Sequence, residues 1–174
     1  MANGTEKPQR RPRIGGWKFI VAIILILAYS ASAAYGIMSD TSIHGLTVKM
    51  FNISRSCTTD TSTQLKILNF NIRGSIWSTS SLQTSLSHLS FTLSVDGSVL
   101  GTTTQSDGSL GPGQSIPTSL TFTHPTLNPT LNLPVLPFSS KLVLTLSATV
   151  AAGLYSAAEA TSDSTVQNFN TSSC

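Results

Sequence analysis

Two cysteines, three histidines and a few Asn-x-Ser/Thr tripeptides are the side chains through which this 174-residue chain could do chemistry. Cys57 and Cys174 suit a disulfide, which would close a loop of about 118 residues and, on the chain-entropy model, contribute roughly 4.9 kcal/mol before strain. The alternative is two free or intermolecularly paired thiols. Asn52-Ile-Ser54 and Asn170-Thr-Ser172 fit the N-glycosylation acceptor pattern, whereas Asn128-Pro-Thr130 is barred by its proline and Asn3-Gly-Thr5 lies in a basic N-terminal stub. His44, His88 and His124 stand singly among turn residues, so no set of metal ligands converges on the sequence. A hydrolase would need His88 or His124 with Asp96 or Asp107, plus a nucleophile. Asp96 is taken up by an Asp-Gly turn and no Ser or Cys nucleophile motif accompanies it. The expectation is a non-enzymatic chain with no catalytic residue, metal or cofactor.

The elements that must position these residues divide at one apolar run. Residues 19–38 carry no charge, and 20 helical residues span about 30 Å, the thickness of a bilayer's hydrocarbon core. Residues 1–18 hold Lys7, Arg10, Arg11, Arg13 and Lys18 against Glu6 alone, while residues 39–174 hold five cations against six acids. The basic pI therefore reports the stub and gives no argument for nucleic-acid binding. By the positive-inside rule the stub stays cytoplasmic, 19–38 spans as a single-pass helix, 39–45 forms a polar stalk, and 46–174 is an extracytoplasmic domain. Trp17, Lys18 and Tyr35 suit the two interfaces. Ala31-Ser32-Ala33 leaves a second route open, in which the run is a cleaved signal segment. A third is prepilin-type processing near Gly15-Gly16.

Beyond residue 45 the pattern is β. Leu46 to Ile53 and Leu65 to Ile72 read as strands, with Leu68, Phe70 and Ile72 sharing a face and a bulge or two covered faces accounting for Leu65 and Ile67. Residues 54–63 read as a turn. Leu89, Phe91, Leu93 and Val95 alternate with Ser and Thr up to Asp96-Gly97, a type I′ hairpin turn. Residues 102–117 read as a polar loop and 83–88 as loop or a short helical turn. Leu120 and Phe122 point inward from a short strand, and His124 to Pro137 is a proline-rich edge or surface loop. Leu142, Leu144, Leu146, Ala148 and Val150 face inward from the next strand. Gly153-Leu154 bends the chain into a last alternating segment, 158–169. Only 10% of the chain is charged, against about 25% in ordinary soluble domains, so Ser and Thr must keep the strand surfaces wet. Six to eight short strands separated by turn signals predict an all-β antiparallel sandwich.

From Leu46 onward, over about 120 residues, the order of features resembles the late-embryogenesis-abundant type 2, or WHy-domain, family. The matching segments are LKILNFNIRG, the hairpin LSHLSFTLSVDGSVLG, the loop SLGPGQSIP, the short strand SLTFT and the late strand KLVLTLSATV. Where that family usually has Asn-Pro, this chain has Asn69-Phe70. The resemblance implies an immunoglobulin- or fibronectin-like sandwich, often behind one membrane span, with a protective or binding role of the stress or desiccation type.

The functional expectation is a membrane-anchored extracytoplasmic β-domain on the cell membrane that binds an unidentified protein or surface partner, or protects the surface. A filament subunit of the pilin kind is the alternative. Residues 102–117 and 124–137 are the expected contact loops.

Overall fold

The computed structural model describes residues 16–59, 61–62, 66–125 and 138–169. It holds one helix, α1 (Gly16–Ile43), followed by eight strands: β1 (Leu46–Thr59), β2 (Lys66–Ser78), β3 (Thr84–Val95), β4 (Ser98–Gln105), β5 (Gly108–Leu110), β6 (Ser115–Pro125), β7 (Phe138–Ala152) and β8 (Tyr155–Phe169). The chain divides into two units, Met1–Ile37 and Met38–Cys174.

In the first unit α1 is long and apolar enough to cross a membrane. Its large side chains, among them Leu25, Ile26 and Leu27, are exposed along its length. Two hydroxyls in the apolar run are satisfied within the helix: Ser30 Oγ donates to the Ile26 carbonyl at 2.6 Å and Ser32 Oγ to the Ala28 carbonyl at 2.8 Å. Such back-bonding removes the cost of placing a hydroxyl among apolar groups.

The second unit is an all-β domain of two antiparallel sheets. Sheet one has the order β1-β2-β6; sheet two has the order β4-β3-β7-β8, with β5 continuing the β4 edge alongside β3. The chain changes sheet after β2, after β5 and again after β6, the alternation of an immunoglobulin- or fibronectin-like sandwich. The core is the sum of the inward rows: Leu68, Phe70, Ile72 and Ile76 of β2, Leu120 and Phe122 of β6, Leu89, Phe91 and Leu93 of β3, and Leu142, Leu144 and Leu146 of β7. The period-2 alternation of the sequence places each of these on the buried face. The Asp96-Gly97 turn has φ of 49° and 85°, the left-handed pair that a type I′ turn requires.

Four segments differ from the sequence expectation. The expected stalk begins as helix: α1 runs to Ile43, and Ser39, Ser42 and Ile43, spaced i, i+3, i+4, are buried. Residues 54–59, expected as a turn, extend β1, because β2 pairs with them through Thr59↔Lys66. Residues 84–88, expected as loop or helix, open β3, where Thr84 and Leu86 are buried. The expected loop 102–117 is mostly strand. Thr102 and Thr104 pair with Thr92 and Ser90, β5 pairs with the start of β3, and β6 already begins at Ser115. β-branched threonines suit an edge strand even where no apolar alternation marks it. Of the proline-rich segment, 126–137 lies outside the described residues.

Two irregularities set up the candidate sites. In β1 the register slips between Met50 and Asn52, so Phe51 is the extra residue of a bulge and is 65% exposed. Gly74 stands opposite Met50, and a Cβ there would meet the Lys49 carbonyl oxygen at 2.5 Å, so the two backbones come together only over glycine. In β3 the register slips between Ser87 and Ser90, and His88 takes a left-handed φ of 54°.

Candidate functional site

Both bulges free a main-chain N–H, and in both an aspartate accepts it. Met50 N donates to Asp163 Oδ2 at 2.8 Å, which ties β1 of sheet one to β8 of sheet two. His88 N donates to Asp107 Oδ1 at 3.0 Å, from the break between β4 and β5. The pair His88 and Asp107, considered from the sequence as a base and its orienting acid, thus meets through the histidine main chain. Asp96 has a second task beyond its turn: its Oδ1 accepts from Lys141 N at 2.8 Å while its own N–H donates to the Lys141 carbonyl at 2.9 Å. This fastens the hairpin to the start of β7.

Asp163→Ala should therefore lower the unfolding free energy by about 1–3 kcal/mol, since a partly buried amide loses its acceptor. Asp163→Asn, which keeps an acceptor oxygen, should cost less. Denaturant titration reports the total, and hydrogen exchange at the Met50 amide reports the bond itself.

His44 follows the last turn of α1 and meets two acids. Its Nδ1 lies 2.8 Å from Glu159 Oε1 and its Nε2 lies 3.9 Å from Asp40 Oδ1. Glu159 also borders a shallow groove of about 300 Å³ that includes His88, Ser147 and Thr149. Among the described residues no three His, Cys, Asp or Glu side chains come together in a set that could hold a metal ion. The His44 contacts join the helix end to β8 and leave no vacant ligand set around it.

A different surface collects more polar groups. Along the outer row of β2 in sheet one, Asn69, Asn71, Arg73 and Trp77 reach the surface and Ser75 is buried among them, alternating with the inward apolar row. The register sets Ser54 and Thr121 beside Asn71, and Asn52 and Ser119 beside Arg73. Thr121 Oγ1 donates to Asn71 Oδ1 and Thr123 Oγ1 donates to Asn69 Oδ1, each at 2.9 Å, while Asn69 Nδ2 reaches Thr58 Oγ1 at 3.3 Å. These bonds lock the amide planes in fixed orientations. Asn52, Ser54, Asn71, Arg73 and Ser119 line a shallow groove of about 370 Å³ on this face.

Of the residues singled out from the sequence, Asn52 is exposed on β1 at the rim of that groove. Cys57 lies in β1 opposite Leu68, and His124 lies in β6 opposite Leu68 from the other side, but neither side chain is among those described. Cys174 and Asn170 lie outside the described residues, so the expected disulfide and the second sequon do too. The Asn/Thr/Arg face was missed by the sequence reading, although its signal is present. Asn69, Asn71 and Arg73 alternate with Leu68, Phe70 and Ile72, and Thr121 and Thr123 alternate with Leu120 and Phe122.

No family model matches the chain, and no curated protein matches it. Among solved structures, the chain is similar to a protein from Archaeoglobus fulgidus at 8% identity and a TM-score of 0.40, over 70% of this chain and 98% of that one. A likeness at that score carries no functional argument.

Proposed function

We propose that this chain is a non-enzymatic, membrane-anchored β-sandwich whose N-terminus stays in the cytoplasm and whose Met38–Cys174 unit lies outside, where it binds a partner or protects the surface. The observation that carries this reading is the order of basic stub, exposed apolar helix and β unit, with five cations against one acid before the span. The type 2 late-embryogenesis-abundant resemblance of the β unit belongs to the same reading, as do a Cys57–Cys174 bond and glycans on Asn52 and Asn170. An exported location is the setting in which a disulfide persists.

A second reading, a filament subunit of the pilin kind, draws support from the unbroken course of α1 out of the apolar run and into the β unit. Carbonate extraction of membranes, combined with the mass of the mature chain, separates the two. An extraction-resistant chain retaining residues 1–18 is the expected result. A mature start after Ala33 would mean a cleaved signal, and a start near Gly16 would mean a filament subunit.

A further inference from the structure

We infer that the outer face of sheet one is a docking platform for a polysaccharide bearing uronic acids. The inference rests on the extracytoplasmic placement proposed above, which is where such a polymer would be met, and applies to the chain whose Asn52, a lining residue of the groove, carries no glycan.

Three features of the face select this chemistry. Its polar lining is built from amides and hydroxyls, the groups that exchange hydrogen bonds with sugar hydroxyls. Because Thr121 donates to Asn71 Oδ1, the Asn71 amide nitrogen is left as an oriented donor, and little conformational freedom remains to be lost on binding. The charge on the face is of one sign. Arg73 and Lys49 are both exposed, and among the described residues no acidic side chain lies on β1, β2 or β6. A planar guanidinium without an ion-pair partner among the described residues matches a carboxylate through two parallel hydrogen bonds. Finally, Trp77 is 40% exposed on the same row, offering a flat apolar ring for the C–H face of a sugar.

A separate observation marks the middle of this row. Ser75 lies between Arg73 and Trp77, flanked in register by Lys49 and Pro117. It is 5% exposed, yet its hydroxyl is one of the buried side-chain groups without a hydrogen-bond partner. Its oxygen is covered, so a ligand on this face would meet the exposed Arg73 and Trp77 on either side of it. From Arg73 to Trp77 the row extends about 13 Å, enough for more than one sugar ring. The outer face of sheet two lacks this combination. Its described strands present mainly Ser, Thr and Ala, with Lys141, a groove bordered by His88 and Glu159, and Tyr155 at the start of β8, but no arginine beside an indole ring.

The test uses the full chain, made in a host that attaches no N-glycan and held in nanodiscs of neutral lipid, with polygalacturonate as probe and dextran as the neutral comparison. Polygalacturonate should be retained and dextran should not. Arg73→Gln should weaken retention about tenfold or more, and Trp77→Leu should weaken it as well, while Lys141→Gln on the opposite sheet should leave it unchanged. Circular dichroism and the denaturation midpoint of each variant show whether it has folded. Equal retention of dextran, an unaffected Arg73→Gln variant that has folded, or competition by inorganic phosphate as strong as by galacturonate would each overturn the inference. Because the assay is done on isolated protein, failure here leaves the anchor reading intact. A cytoplasmic β unit in cells would sink the anchor reading whatever the polymer does.

Discussion

Replacing Phe91 by alanine should lower the unfolding free energy of the β unit by about 3–5 kcal/mol. Phe91 has no exposed surface and sits in the middle of β3, the interior strand of sheet two, with Thr103 of β4 on one side and Leu146 of β7 on the other. Neighbouring strands held by ladders on both sides cannot close around the missing ring, so the transfer loss and the cavity add. Domains of this size have about 5–15 kcal/mol in total, which makes this a loss of about a fifth or more. Phe91→Leu, which keeps most of the volume, should cost about 1–1.5 kcal/mol. Leu154→Ser, at a position 89% exposed in the β7–β8 turn, should change stability by no more than about 0.5 kcal/mol. Urea titration of the full chain in detergent measures all three. Equal effects at Phe91 and Leu154 would refute the assigned core.

The second large effect concerns the helix. Arginine near the centre of a span costs about 2.5–3.5 kcal/mol on insertion scales, so Ile26→Arg with Leu27→Arg should disfavour insertion by about 5–7 kcal/mol. Both side chains are more than half exposed in α1, so the substitution removes no packing that the β unit needs. The double variant should leave the carbonate-resistant membrane fraction, while the denaturation midpoint of its β unit stays where it was. Ile26→Leu should remain in the membrane fraction. Retention of the double arginine variant would mean that the helix does not hold the chain there.

Much of the sandwich was legible because its central strands must hide one face and wet the other. Leu142 to Val150 and Leu89 to Val95 alternate for that reason, and Asp96-Gly97 starts the β3–β4 pairing at Val95↔Ser98, before a one-residue slip between Ser94 and Leu93. Strands whose inner faces are polar carry a weaker signal: 158–169 alternates without an apolar side, and residues 102–105 read as loop. β8 turns Glu159 and Asp163 toward β1, where they meet His44 and the Met50 amide, so its buried side carries no apolar signature. β4 is an edge strand in which Thr103 and Gln105 are half-buried, and a run of threonine and glycine reads as loop unless its partner strand is known. The end of α1 was obscured in the same way. Ser39 and Ser42 read as stalk, and only their burial reveals them as the last helical turn.

The outer face of sheet one illustrates the limit for the site. Asn69, Asn71 and Arg73 are visible as an alternating polar row, but Thr121 and Thr123 lie about 50 residues away in sequence. Their convergence depends on the β2–β6 register, which no local pattern encodes. Conversely, the singly placed histidines attracted attention by residue type alone. The structure uses His44 to hold the helix end and His88 to turn a bulge.

The proposed topology, with residues 1–18 in the cytoplasm and residues 46–174 outside, is tested most directly by site-resolved amine labelling of intact cells with an impermeant reagent. Lys49 and Lys141, both exposed on the β unit, should be labelled in intact cells, and Lys7 only after permeabilisation. Labelling of Lys7 in intact cells, with Lys49 and Lys141 protected until the membrane is opened, would contradict it.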